Sequence, residues 1–208
     1  MSLSTPVKLA VVYYSSTGTN AAVAKEIATA AEQAGAEVRL RRATELAPQE
    51  AIDSNPAWAA NARATADVPE ATPDDADWAE ALIFGSPTRF GNVSSQLKQY
   101  IDQLGGLWAQ GRMADKVYSG FTSSATLHGG QESTLLALYN TVHHFGGIVV
   151  APGYTDASKF TDGNPYGTSH VDAQGERPVD DVTRQAARVQ AQRVVRVATA
   201  LKDGGIAG

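Results

Sequence analysis

The sequence has no cysteine among its 208 residues. This absence excludes disulfides, thiolate metal sites and cysteine nucleophiles. The chain also lacks a Gly-x-Ser-x-Gly string, the motif that exposes the nucleophilic serine of many hydrolases. Its four histidines include no pair at the helical His-x-x-x-His spacing that is typical of zinc sites. The sequence therefore supports neither a covalent hydrolase nor a zinc enzyme, and no metal ligands are predicted.

Long apolar runs and an excess of basic residues are also lacking. No apolar stretch approaches the roughly 20 residues of a transmembrane helix, so no membrane span is predicted. Lysine and arginine number 17 against 22 aspartates and glutamates, a formal net charge of −5, whereas nucleic-acid binding needs a basic face. No nucleic-acid partner is expected. The N-terminus lacks a basic-then-apolar signal segment, and the expected location is the cytoplasm.

Short apolar runs alternate with stretches of helical periodicity over most of the chain. The fourth of five predicted strands is the weakest, and the five lie at residues 8–14, 37–41, 79–85, 116–122 and 148–151. This alternation predicts an α/β fold with a doubly wound five-stranded parallel sheet and helices on both faces. We expect a single domain over residues 1–208, in which ligands bind beyond the carboxyl ends of the strands.

Two long excursions, residues 44–77 and 152–178, interrupt this pattern. The first is predicted to lie on the surface, with one short helix around Trp58, and the second to be a loop with turns at 162–165. The acidic run at 74–77 lacks the calcium-loop pattern and is predicted to be a solvated turn. Excursions of this length inside a compact domain are usually functional or partly mobile.

A hydroxyl-rich segment joins the first strand to the first helix. The first turn of a helix has N–H groups without internal partners, and the helix dipole adds partial positive charge, so a phosphate can bind there. Hydrogen bonds can be added by the hydroxyls of Ser15, Ser16, Thr17 and Thr19. Gly18 gives the backbone freedom to wrap an oxygen closely. The alternative is an ordinary Ser/Thr helix cap.

The residues that this loop lacks narrow the range of ligands that fit it. No lysine precedes its serines and threonines, so it does not match the loop that binds nucleoside triphosphates. One glycine replaces the Gly-x-Gly-x-x-Gly pattern of dinucleotide sites. A loop of neutral donors favours one terminal phosphate monoester.

Two further polar loops, at 86–92 and 123–130, follow the third and fourth predicted strands. Because the carboxyl ends of parallel strands meet at one edge of a sheet, we expect the three loops to form a single cleft. Arg89 and Phe90 in the second loop are suited to flank a planar heterocycle, and a cation near the pyrimidine end of a flavin favours its reduced anion. The alternative is an irregular loop with Phe90 packed in the core.

Five strings of residues occur in an order that points to one family, at residues 13–18, 85–92, 105–108, 129–132 and 164–167. The most specific are Pro-Thr-Arg-Phe-Gly-Asn at 87–92 and Gly-Gly-Leu-Trp at 105–108. Together they resemble the tryptophan-repressor-binding-protein family, flavodoxin-like NAD(P)H:quinone oxidoreductases that bind FMN. The resemblance covers nearly the whole chain and implies a flavodoxin-like fold.

The resemblance also implies which residues bind the cofactor. The FMN phosphate is expected to contact Ser15, Ser16, Thr17, Gly18, Thr19 and Asn20. The second loop is expected to border the isoalloxazine ring with Pro87, Thr88, Arg89, Phe90 and Gly91. The third loop is expected to contribute Ser123, Ser124, Ala125, Thr126, Gly129 and Gly130.

Catalysis is expected to involve Trp108 as a stacking wall and His144 as a hydrogen-bond or proton donor. The resemblance implies that both line the pocket where nicotinamide and quinone bind in turn, with His144 also beside the flavin. A one-residue shift of the alignment selects His143 instead. The implied reaction takes a hydride from NADH or NADPH and passes two electrons to a quinone by a ping-pong mechanism.

Two alternatives to the enzyme are an electron carrier and a regulatory binding protein. An electron-carrier flavodoxin would favour a more acidic docking face than a net charge of −5 provides. A regulatory binding protein, which the family name suggests, would need a DNA-reading element that the sequence lacks.

A homotetramer is the expected assembly. The two excursions carry Trp58, Phe160 and Tyr166, aromatic residues with no place in a five-stranded core, and aromatic residues on projecting loops are enriched at interfaces. Closed symmetry is the usual outcome for soluble homo-oligomers. The resemblance adds that relatives form tetramers with FMN sites near the subunit contacts.

Overall fold

A parallel β-sheet forms the centre of the protein, for which a computed structural model describes residues 5–206. Its strands are β1 Lys8–Tyr13, β2 Glu37–Arg42, β3 Ala81–Pro87, β4 Val117–Ser124, β5 Ile148–Val149 and β6 Thr168–Val171. The strand order is β2-β1-β3-β4-β5, and β6 also pairs with β4. Every pairing is parallel, which confirms the predicted α/β fold.

Helices cover both faces of the sheet. They are α1 Thr19–Gln33, α2 Gln49–Asp53, α3 Pro56–Ala64, α4 Pro73–Trp78, α5 Ser95–Gln103, α6 Gly105–Ala109, α7 Gln131–Phe145, α8 Lys159–Asp162 and α9 Asp181–Asp203. One core lies between the sheet and the pair α1 and α9, where Val23, Ile27 and Ala191 are buried. The other lies beneath α5 and α7, around Leu97 and Leu138. These residues lie on the faces that the helical periodicity predicts.

The sequence predicts that β4 is the weakest strand, and the structure differs from this prediction. Strand β4 is the longest strand of the sheet, and all eight of its residues are buried. Its first half pairs with β5 and its second half with β6, so two short strands share one side of it. A buried central strand can carry Ser119 and Thr122 because their hydroxyls donate to carbonyl groups.

The sixth strand was predicted as part of a loop. Its sequence, Thr168-Ser169-His170-Val171, is short and mostly polar, so no local pattern marks it. Long-range contacts hold it in place. The buried Gln190 on α9 accepts a hydrogen bond from the Thr168 backbone N–H and donates to the Gly120 carbonyl on β4. A Cβ built on Gly167 would lie 2.1 Å from the Gly120 carbonyl oxygen, so only glycine fits this approach.

The first excursion contains three helices, α2 to α4, rather than the single helix predicted around Trp58. The start of α3 is marked by Asn55, whose side chain accepts from two backbone N–H groups, and by Pro56 in the first turn. The start of α4 is a capping box between Thr72 and Asp75. The predicted solvated turn at 74–77 was wrong, because Asp75 is buried and forms ion pairs with two arginines of β2.

The second excursion is held by a buried ion pair. Lys159 and Asp162 on α8 are almost fully buried and contact one another. The Asp162 carboxylate also accepts from the Asn164 backbone N–H, and the Asn164 side chain donates to Ser169 of β6. Within residues 5–206, no helix combines the length and apolarity that a membrane crossing requires. The expectation of one domain over 1–208 stays a prediction, since residues 1–4 and 207–208 are not described.

Candidate functional site

The three predicted loops meet at the carboxyl ends of β1, β3 and β4. Between them is a cavity of about 490 Å³. Its lining includes most residues of the predicted site, namely Ser15, Ser16, Thr17, Thr19, Asn20, Pro87, Thr88, Arg89, Ser123, Ser124, Ala125, Thr126 and Gly129. The two excursions add Asn55, Ala57, Asp172, Gln174 and Gly175. The cavity is thus enclosed by both the predicted loops and the excursions.

The loop before α1 depends on the backbone of Gly18. This residue has φ +101°, a left-handed conformation that favours glycine. Its N–H donates to the Ser15 hydroxyl over 3.1 Å, which closes the turn. The Asn61 side chain of α3 donates to the Ser15 carbonyl over 2.8 Å. The loop is therefore shaped by its own glycine and by a contact from the first excursion.

Asn20 has an unusual environment for a polar side chain. It is 1% exposed, and neither its Nδ2 nor its Oδ1 has a hydrogen-bond partner among the described residues. An unpaired buried amide costs about 1–3 kcal/mol, so such groups normally find partners. Its position in the first turn of α1 and in the cavity lining places this free amide where an anion would bind.

The second loop forms a tight turn with Phe90 and Gly91 at its tip. Both have positive φ, and the backbones of Arg89 and Asn92 exchange hydrogen bonds of 2.7 and 3.0 Å. The Phe90 side chain is fully exposed, so the alternative in which it packs in the core was wrong. Gly91 lies against the third loop, since a Cβ on Gly130 would lie 3.1 Å from the Gly91 Cα.

The second and third loops are joined through the Thr88 side chain. Its hydroxyl accepts from the Gly91 N–H and from the Thr134 hydroxyl on α7, and it donates to the Gly129 carbonyl. Gln131, at the start of α7, is buried and its Oε1 has no partner among the described residues. These contacts fix the two loops relative to one another before any ligand is bound.

Trp108 and His144 lie away from this cavity. The Trp108 indole donates to the His144 carbonyl over 2.8 Å, and both residues line a separate shallow depression at the ends of α5 and α7. From Gln131 near the cavity to His144, the helix rises about 20 Å. His143 lies at the same end of α7, in a groove with Leu136. Within a single chain, Trp108, His143 and His144 therefore lie outside the predicted flavin cavity. Their role in that cavity stays a prediction.

A second cavity, of about 550 Å³, lies at the opposite edge of the sheet. Several of its charged groups have partners within the protein. The Lys116 ammonium donates to three backbone carbonyls at the end of α4, and Arg112 pairs with Asp77. Burial lowers the pKa of Lys116 to about 8. Among the residues that the structure describes, no group of three or more His, Asp or Glu side chains is arranged to hold a metal ion.

Comparison with known proteins identifies the family of this chain. A family described as NADPH-dependent FMN reductase matches residues 7–162. The chain belongs to this flavin reductase family. It is 51% identical over 200 residues to NAD(P)H dehydrogenase (quinone) from Deinococcus radiodurans, covering 96% of this chain and 99% of that protein.

Other relatives agree with this assignment. An NAD(P)H dehydrogenase (quinone) from Sinorhizobium fredii is 41% identical, over 94% of this chain and 99% of its own. A solved WrbA-like flavodoxin from Agrobacterium tumefaciens has a TM-score of 0.66 and 26% identity, with coverage of 93% and 98%. The family resemblance and the flavodoxin-like fold inferred from the sequence are confirmed.

The cavity of this flavin reductase family member also contains Asp172, a residue that sequence reasoning missed. This residue follows β6, and because that strand was not predicted, no signal placed Asp172 near the site. Its carboxylate accepts from the Thr19 hydroxyl over 3.1 Å and from the Gln174 N–H over 3.0 Å. A carboxylate bonded to the loop before α1 occupies a donor that a bound phosphate would use, and its negative charge opposes the binding of an anion there.

We expect Asp172→Asn to raise the affinity of the cavity for inorganic phosphate, on the order of fivefold, because a like charge is removed. The asparagine oxygen still accepts from the Thr19 hydroxyl. Titration followed by ³¹P NMR measures the dissociation constant. Asp67→Asn is the matched control, because it removes the same charge at an exposed position outside the cavity. Unchanged or weaker phosphate binding in Asp172→Asn would contradict the expectation.

Proposed function

We propose that this chain is an FMN-dependent NAD(P)H:quinone oxidoreductase that reduces quinones by two electrons. The observation that carries the proposal is the cavity at the start of α1, where neutral hydroxyls lie beside the buried Asn20 amide, which has no hydrogen-bond partner within residues 5–206. The family description and the relatives named NAD(P)H dehydrogenase (quinone) support it.

The loop before α1 suits the phosphate of FMN. The first-turn N–H groups of α1 donate to no acceptor within the helix, and the helix dipole favours an anion there. The site is proposed to consist of Ser15, Ser16, Thr17, Gly18, Thr19 and Asn20. The Asn20 Nδ2 would donate to a phosphate oxygen and so gain the partner that it lacks. Because the loop offers no lysine, one monoester fits it better than a pyrophosphate.

The second and third loops suit the ring system. Bound FMN supplies two-electron chemistry, accepting a hydride equivalent and passing electrons on, so the protein needs no nucleophile of its own. The second loop would border the ring with Thr88, Arg89 and Phe90, and the third loop, residues 123–130, would border it as well. Arg89 brings positive charge to the cavity, which favours a reduced, anionic ring.

Cofactor choice tests the proposal directly. Purified protein is expected to bind FMN, with a yellow spectrum and quenched flavin fluorescence, and to bind FAD on the order of tenfold more weakly because the loop closes on one terminal phosphate. Titration calorimetry with each flavin measures the two affinities. Absence of FMN binding, or preference for FAD, would overturn the proposed cofactor.

The proposed kinetic mechanism is ping-pong, in which one cavity serves nicotinamide and quinone in turn. Double-reciprocal plots of NADH or NADPH oxidation at several benzoquinone concentrations are therefore expected to be parallel. Intersecting lines would indicate that both substrates bind together. An FMN-loaded protein that is inactive with both nicotinamides would instead fit an electron carrier.

We also propose a homotetramer, acting in the cytoplasm, in which another copy brings Trp108 and His144 to the cavity. Support comes from their position. Trp108 is 53% exposed and far from its own cavity, while Phe90 is fully exposed at the second loop. The second excursion adds an exposed stack of Tyr154 and Phe160, with ring centroids 5.0 Å apart. Exposed aromatic groups of this kind are enriched at interfaces.

Mixing two inactive variants tests whether the site is shared. Trp108→Ala removes the proposed stacking wall of the cavity. Gly18→Val disrupts the loop that is proposed to bind the FMN phosphate, because a β-branched residue resists positive φ. If Trp108 acts from another copy, unfolding and reassembling the two variants together restores part of the activity, since some sites combine an intact loop with an intact tryptophan. Each variant reassembled alone is the control. No recovery, or a fully active monomer by light scattering, would contradict the shared site.

A further inference from the structure

Glu45 lies just after β2 and gathers hydrogen bonds from four separate parts of the chain. Its carboxylate accepts from the Tyr14 hydroxyl at 2.9 Å, the Trp58 indole at 3.1 Å and the Gln96 amide at 3.0 Å. It also accepts from the backbone N–H groups of the two residues that follow it. Five donors on one half-buried carboxylate use all of its acceptor capacity.

No lysine or arginine within residues 5–206 forms an ion pair with Glu45. Burial raises the pKa of this carboxyl, but the hydrogen bonds from Ala47, Gln96, Tyr14 and Trp58 outweigh it, so the pKa lies below its usual range. The group is therefore an anion held by neutral donors. Hydrogen bonds to an ionised acceptor are stronger than neutral ones, which makes this contact suited to fixing positions.

The donors belong to elements that surround the cofactor cavity. Tyr14 directly precedes the phosphate loop, and Gln96 lies in the first turn of α5, which follows the second loop. Tyr14 is itself tied to β3, because its N–H donates to the Gly85 carbonyl over 2.9 Å. Glu45 thus connects the residue before the loop that is proposed to hold the phosphate with the helix that follows the loop proposed to border the ring.

The third donor, Trp58, controls the placement of α3. This helix has nine residues, too few to be stable alone, so tertiary contacts determine where it lies. One turn further on, Asn61 donates to the Ser15 carbonyl over 2.8 Å. The Asn61 Oδ1 also lies 3.3 Å from the position of a Cβ on Gly18. The helix that Glu45 holds therefore packs directly on the phosphate loop.

We propose that Glu45 is a positioning residue for the cofactor cavity, whose carboxylate holds Tyr14, α3 and α5 so that the phosphate loop is shaped before ligand binds. Glu45 does not line the cavity and acts through Asn61 and Tyr14. The inference rests on the proposed function for the identity of the ligand. The arrangement of the phosphate loop in the free protein can be measured without any ligand.

Glu45→Gln tests the inference, because the amide keeps the size of the side chain but turns one acceptor oxygen into a donor facing other donors. The FMN dissociation constant is expected to rise on the order of tenfold. Hydrogen exchange of the segment 15–20 in the free protein is expected to quicken. Glu50→Gln, the same change at an exposed glutamate whose side chain forms no hydrogen bond or ion pair within residues 5–206, should leave both unchanged.

A double-mutant cycle tests whether Glu45 acts on the phosphate loop through α3. If Glu45 acts through α3, the effects of Glu45→Gln and Asn61→Ala on FMN affinity are not additive, because both release the same contact on the loop. A lower melting temperature in Glu45→Gln with unchanged FMN affinity and unchanged exchange at 15–20 would overturn the proposal, since it would show a role in stability alone.

Milder variants cover the case in which Glu45→Gln does not fold. Tyr14→Phe and Trp58→Phe each remove one donor, and each is expected to weaken FMN binding about threefold with faster exchange at 15–20. No change in either variant would overturn the proposal. If wild-type protein does not bind FMN, the proposed function fails, while hydrogen exchange in the free protein still decides whether Glu45 orders the loop.

Discussion

Parallel pairing of β1, β3 and β4 is the constraint on which the site depends. The register sets Tyr13 beside Gly85 and Pro87 beside Ser123, so the three strands reach one edge of the sheet. Backbone bonds extend this pairing just past the strands, from Tyr14 to Gly85 and from Thr88 to Ser123. Loops that are far apart in the sequence therefore open on one side, which is where parallel α/β proteins bind ligands.

The two excursions turn an open edge into a cavity. From the first, α3 packs on the loop before α1 through Asn61, and Glu45 connects that helix to Tyr14 before the loop and to Gln96 on α5. From the second, Asp172 contacts Thr19 from the far side of the cavity. The site thus combines the three loops after β1, β3 and β4 with walls from the two excursions, and the second excursion brings a carboxylate, Asp172, to the cavity.

Buried polar contacts keep the second excursion in register. Gln190 on α9 reaches both β4 and β6, and the buried Lys159 and Asp162 pair holds the chain that leads into β6. A buried ion pair contributes little net stability but is costly to break from one side. The same contacts that complete the sheet therefore also hold Asp172 at the cavity.

The sequence by itself determined five strands of the sheet, its longer helices and the hydroxyl-rich turn before α1. These follow from local properties: apolar runs, helical periodicity, hydroxyls before a helix, and a glycine at Gly18 where the backbone needs positive φ. The polar loops after the third and fourth predicted strands followed from the strand order, the family strings named the residues within them, and 13 of the predicted residues do line the cavity.

Only the tertiary structure decided the rest. It added β6, brought Asp172 to Thr19 across 153 residues of sequence, and joined Tyr14 to Glu45 across 31. It also placed Trp108 and His144 together at the far ends of α5 and α7. None of these positions has a local signal, because each depends on contacts between segments whose approach is set by the packing of the whole sheet and its helices.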